Sequence, residues 1–155
     1  LQLARDNFNS EGAAEKTTLE RMVQEQVQQW QPIAETKGLQ LLVTTEAVAP
    51  QKLYNTPLLR AVVANLLRNA TYYTDSGFVR LVLTADGFRV EDSGKGIEET
   101  QREAIFKPFV RGEGARGEGL GLGLSLVKRI CAHQGWQISL CNLEPTGSCF
   151  SVTLV

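Results

Sequence analysis

The amino-acid sequence predicts an α+β fold, and three observations carry that prediction. Segments near 19–37, 56–73 and 122–134 have the apolar periodicity of helices. The stretches beside them are short, rich in β-branched and aromatic residues, and bounded by glycine or proline. Helices and strands also follow one another without the strict βαβ alternation of a doubly wound sheet.

Taken in order, "LQLARDNF" is expected to end a helix that began before residue 1, so the chain is expected to be a piece of something larger. After "NSEGAAEKTT", good helix formers run from about Leu19 to Lys37, and Gly38 supplies the stop. "LQLLVTTEAV" follows as a strand. Pro57 lies in the first turn of the helix "TPLLRAVVANLLRNATYY", where its missing N–H costs nothing. "GFVRLVLTADGFRVEDSG" predicts a hairpin about Asp86–Gly87. A short helix is expected near Glu98–Ala104, then a glycine-rich loop from Phe106 to Gly119 carrying Lys107, Arg111 and Arg116. A helix from about Leu122 to Gln134 precedes two closing strands in "WQISLCNLEPTGSCFSVTLV".

With 155 residues the chain suffices for one domain with a real core. Its 43% hydrophobic and 21% charged residues are those of a globular protein. A net charge of −1 gives no basic excess, so nucleic acid is not an expected partner. Any polyanion must be held by local geometry. Cys131, Cys141 and Cys149 form no CxxC pair, which argues against a zinc site or disulfide framework and fits a reducing compartment. No apolar run is long enough to span a bilayer, and no signal peptide is visible.

Some polar residues are not required by the pattern. Asn65 and Asn69 lie four apart and project from one helix face. They are either satisfied structural amides or oxygen ligands for a hard divalent cation. Asp92 ends the second hairpin strand before Gly94 and Gly96. It is either a turn former or an acceptor beside a flat ligand with an exocyclic amine. "GEGLGLGL" places glycines at 117, 119, 121 and 123 directly before a helix, where free N–H groups and the helix dipole favour an anion. "GEGARG" fits GxGxxG by letter but lacks a preceding strand, and "SGKGI" lacks the rest of a P-loop. His133, the only histidine, sits late in a helix, where a capping or core role suits it better than catalysis.

Four segments in one order identify the family. "NLLRNATYYT", "VEDSGKGI", "IFKPFVRG" and "GEGLGLGLSLVKRICAHQG" resemble the N, G1, F and G2 boxes of the ATP-binding catalytic domain of bacterial sensor histidine kinases, within the GHKL group. The resemblance covers about residues 15–155, and "TGSCFSVTL" is similar to the family's last strand. It implies a Bergerat-type two-layer α/β sandwich, its mixed, mostly antiparallel sheet packed on one side by helices. Residues 1–12 would be the tail and linker of a dimerisation and phosphoacceptor hairpin, and 13–155 the catalytic domain.

The same resemblance implies Mg²⁺ and ATP as cofactors. Asn69 matches the magnesium ligand, with Asn65 its partner one turn earlier. Asp92 matches the adenine-recognising aspartate, with Gly94, Gly96 and Ile97 shaping the pocket and Tyr73 placing a ring near the nucleotide. Phe106 and Phe109 belong to the F box, and Arg111 would face the γ-phosphate. Gly119, Leu120, Gly121, Leu122, Gly123 and Leu124 would form the hinge of the ATP lid, where backbone approaches the triphosphate. No catalytic residue is assigned: the phosphoacceptor histidine would lie on the hairpin, outside this chain. Implied partners are that dimerisation domain, a response regulator receiver domain and a second copy of the full-length protein, with a cytoplasmic place in an inner-membrane sensor. Two positions depart from the pattern. Tyr72 stands where many members carry a lysine or arginine on phosphate, a contact then absent or supplied by Arg68 or Arg111. Glu118 stands where glycine is common. The rival readings are a degenerate module used for docking or regulation, and a GHKL hydrolase, which the amide at Asn65 disfavours because it cannot activate water.

Overall fold

The computed structural model describes residues 15–47, 52–94, 120–143 and 146–154. The expected tail at 1–12, the short helix near 98–104 and the glycine-rich segment 106–119 lie outside the described residues.

Two helices carry the caps that their sequences supply. Helix α1 (Leu19–Lys37) starts at Thr18, whose hydroxyl accepts from Arg21 N, and stops at Gly38, whose φ of 79° suits a residue without Cβ. Helix α2 (Thr56–Tyr73) starts at Asn55, whose Oδ1 accepts from Leu58 N at 3.0 Å. Lys37 reaches back to the far end of α2 and donates to the Thr71 and Tyr72 carbonyls at 2.6 and 2.9 Å. A cation there complements the negative end of the helix dipole. Helix α3 (Leu120–Gln134) begins two residues earlier than its apolar pattern predicts, so Gly121 and Gly123 lie inside it. His133 is exposed in its last turn rather than in the core.

Strands β2 (Leu39–Thr45), β4 (Gly77–Leu83), β5 (Gly87–Asp92), β6 (Gln137–Asn142) and β7 (Ser148–Thr153) form one sheet in the order β2-β4-β5-β7-β6. Among the described residues only the β2–β4 pair is parallel. Two residue pairs that the sequence pattern does not announce, β1 (Lys16–Thr17) and β3 (Tyr54–Asn55), pair antiparallel beside it. Helix α1 packs on β2, α2 on β4 and β5, and α3 on β6, with α2 between the other two helices.

The sheet is two-faced, as its period of two requires. Val79, Leu81, Leu83, Phe88, Val90, Phe150 and Val152 join the helices in one core. Leu58, Leu59, Val62, Val63, Leu66 and Leu67 of α2 are fully buried in it, each worth about 1.5–3 kcal/mol. The opposite face carries ion pairs instead: Arg80 to Glu91 at 2.9 Å, and Arg89 to both Glu91 and Glu46. One row of the core-facing side is not apolar. Register puts Asp92 opposite Ser148, and Ser148 opposite Asn142, at one end of the sheet.

Candidate nucleotide-binding site

Asp92 shares its strand face with Phe88 and Val90, so a carboxylate occupies a core position at the end of β5. It is only 3% exposed. Its Oδ2 accepts from the Ser148 hydroxyl at 2.7 Å and its Oδ1 from Gly94 N at 2.9 Å. Burial pushes its pKa above the ordinary carboxylate value, opposed by the bonds from Ser148 and Gly94. The fold holds a carboxylate where packing alone would choose a hydrophobe. That makes Asp92 a candidate recognition group.

The C-terminal turn of α2 closes over this carboxylate. A side chain at Gly94 would come within 2.9 Å of the Tyr73 carbonyl, 3.0 Å of Asp92 Oδ1 and 3.3 Å of Thr74 Oγ1. The Thr74 hydroxyl is buried with no hydrogen bond of good geometry among the described residues, although its dipole still favours the charged form of Asp92. On the other side, Gly147 has φ 123°, and a Cβ there would strike the Asp92 carbonyl. Only glycine fits that approach. Tyr73 meets Tyr72 edge-on at 5.1 Å.

The asparagines run along α2 away from this end. Asn69 is 4% exposed, and its amide makes no hydrogen bond among the described residues. An amide oxygen so placed fits a hard divalent cation, which prefers oxygen and takes its remaining ligands from phosphate and water. No group of three or more His, Cys, Asp or Glu that could cage a metal occurs among the described residues. Asn65 is committed at both atoms: Nδ2 donates to the Ala61 carbonyl at 2.7 Å, and Oδ1 accepts from Arg68 at 2.9 Å.

Asn65 also meets α3. A Cβ at Gly123 would lie 2.7 Å from Asn65 Oδ1 and 3.3 Å from an Arg68 guanidinium nitrogen. The first turn of α3 therefore abuts α2 at Asn65. Eight residues separate Asn65 from Tyr73, about 12 Å at 1.5 Å per residue. Along that line stand an anion-favouring helix start, the Asn69 amide, and the Asp92 carboxylate beside the last turn.

Of the residues singled out from sequence, Tyr73, Asp92 and Gly94 gather at one end of this line, and Asn65 and Gly123 at the other. Leu124 is buried in the core. Leu120, Gly121 and Leu122 belong to the first turn of α3. Gly96, Ile97, Phe106, Phe109, Arg111, Glu118 and Gly119 lie outside the described residues. Sequence spacing does not single out Thr74, Gly147 or Ser148, the last of them 56 residues from the carboxylate it orients. The glycine before the final strand is the one local hint.

A helix-covered, mostly antiparallel sheet with this line of groups defines a nucleotide-binding class of domain. Residues 54–155 match the family described as "Histidine kinase-, DNA gyrase B-, and HSP90-like ATPase". The chain belongs to that family. It is 41% identical over 100 residues to the sensor protein TorS of Escherichia coli, covering 62% of this chain and 11% of TorS. It is 31% identical over 152 residues to the virulence sensor protein BvgS of Bordetella bronchiseptica, covering 90% of this chain and 12% of BvgS. The chain thus spans a small part of those relatives. Among solved structures, full-length ShkA in complex with AMPPNP superposes with a TM-score of 0.78 at 26% identity, covering 94% of this chain and 33% of ShkA. No helix among the described residues is long and apolar enough to cross a membrane.

Proposed function

We propose that this chain binds Mg-ATP and donates the γ-phosphoryl group to a histidine on the dimerisation domain of its own kinase, for relay to a response regulator. The observation that carries this is the line along α2 from the buried Asp92, past the Asn69 amide, which has no partner among the described residues, to the start of α3. An extended nucleotide suits it, with base at one end and triphosphate at the other. The AMPPNP held by ShkA supports a nucleotide in a relative of the same fold.

In this reading Asp92 accepts from the exocyclic amine of adenine, and Ser148 and Gly94 keep its carboxylate aimed. Asn69 would hold magnesium, which when bound supplies charge neutralisation for the phosphates. Both amide atoms of Asn65 are already used, and an amide is no general base, so water is not activated there. The incoming imidazole forms the new N–P bond as the γ-phosphorus parts from its bridging oxygen and ADP leaves. The protein's share is positioning and electrostatics.

The test is the isolated chain with the hairpin domain of the same kinase supplied in trans. Label should pass from γ-labelled ATP to the histidine, with little free phosphate released. A degenerate docking module would bind no ATP in calorimetry, and a hydrolase would release phosphate without the hairpin.

A further inference from the structure

Position 72, in the last turn of α2, carries an uncharged tyrosine. Its hydroxyl is buried and its ring packs against Tyr73, with Lys37 Nζ 5.9 Å from the ring centroid. That lysine is engaged by the carbonyls at the end of α2. Helix α2 has two cations of its own, and they differ in partner. Arg60 is bound to Glu25 by two bonds at 2.6 and 2.9 Å, so its charge is neutralised against α1. Arg68 is exposed, and its partner is the neutral Asn65 amide. No carboxylate pairs with it among the described residues.

Its position matters as much as its charge. One guanidinium nitrogen is 2.9 Å from Asn65 Oδ1 and 3.3 Å from where a Gly123 Cβ would be. The group therefore stands against the first turn of α3, and the positive end of a helix dipole favours an anion. We propose that Arg68 is a phosphate-binding residue of this site, carrying the charge that position 72 lacks. The proposal rests on the nucleotide reading above. The bond to Asn65 holds the fork at the triphosphate end, and the remaining N–H groups are suited to phosphate oxygens in pairs. Absence of a side chain at Gly123 leaves the room.

The experiment compares ATP with adenosine, which shares the base and has no phosphate. In calorimetric or NMR titrations Arg68→Gln should lower ATP affinity about tenfold, as losing a charged hydrogen bond does. Adenosine affinity should be unchanged. Arg68→Lys should recover part of the loss. Tyr72→Lys in the Arg68→Gln background should restore ATP affinity by returning a cation to the other position. Equal losses for ATP and adenosine would make Arg68 a packing residue and overturn the proposal. So would wild-type ATP affinity in Arg68→Gln. Failure of the nucleotide reading looks different: the unaltered chain would bind neither compound.

Discussion

Burial pushes the Asp92 carboxyl upward, while the Ser148 hydroxyl and the Gly94 N–H pull against it. The sign of the resulting linkage is fixed. A carboxyl whose pKa is raised on folding favours the folded state fully below its unfolded pKa, and that contribution is lost as pH rises through the folded value. At neutral pH the charge at Asp92 therefore costs stability. Asp92→Asn should leave the ligand-free chain as stable as wild type or more so at pH 7, with the difference vanishing in acid. The same change should cost about 1.5–3 kcal/mol of ATP binding, at least tenfold, because the amide presents a donor to the adenine amine. Thermal melts across pH, paired with calorimetry, check both halves. A large loss of stability with unchanged affinity would assign Asp92 to the fold and not to the ligand. Sequence alone marks Asp92 and Asn69 because both are polar where the pattern calls for hydrophobes or turns. It is silent on Ser148 and Thr74, which act through tertiary contact.

Elements differ in how far local chemistry settles them. The bounds of α1 and α2 follow from Thr18, Gly38, Asn55 and Pro57, and agree with the sequence pattern. The start of α3 does not. Glycine disfavours helix by about 1 kcal/mol against alanine, so the pattern delays the helix to Leu122. The structure starts it at Leu120, and Gly123 shows why glycine is retained: α2 passes so close that a Cβ would lie 2.7 Å from Asn65 Oδ1. Asn65 cannot yield freely, being tied to Ala61 and Arg68. Gly123→Ala should therefore destabilise the chain by about 1–2 kcal/mol, although alanine is the better helix former. In the Asn65→Ala background the same substitution should be neutral or stabilising, since the obstructing amide is gone. Urea unfolding of the four members of this cycle measures it; strict additivity would mean that the two helices are not in contact there.

At the scale of the whole molecule, the α+β class is legible from periodicity, whereas the strand order is not. The β2–β4 parallel pair and the insertion of β7 between β5 and β6 are set by long-range packing under the helices. This arrangement makes the site a property of the entire core: Asp92 belongs to β5, Ser148 to β7, and the asparagines to α2, which packs against both other helices. A ligand that binds only the folded chain must then stabilise all of it. At 100-fold excess over the dissociation constant the gain is about 2.7 kcal/mol. For a domain of this size that raises the melting midpoint by about 5–10 °C. Mg-ATP should produce such a shift, and ATP with chelator a smaller one. Asn69→Ala should make the two shifts equal while leaving the ligand-free midpoint within a few degrees of wild type, because its amide makes no hydrogen bond among the described residues. Differential scanning fluorimetry across these conditions is sufficient. If Asn69→Ala keeps the full magnesium-dependent difference, the metal is held elsewhere and α2 serves the base alone.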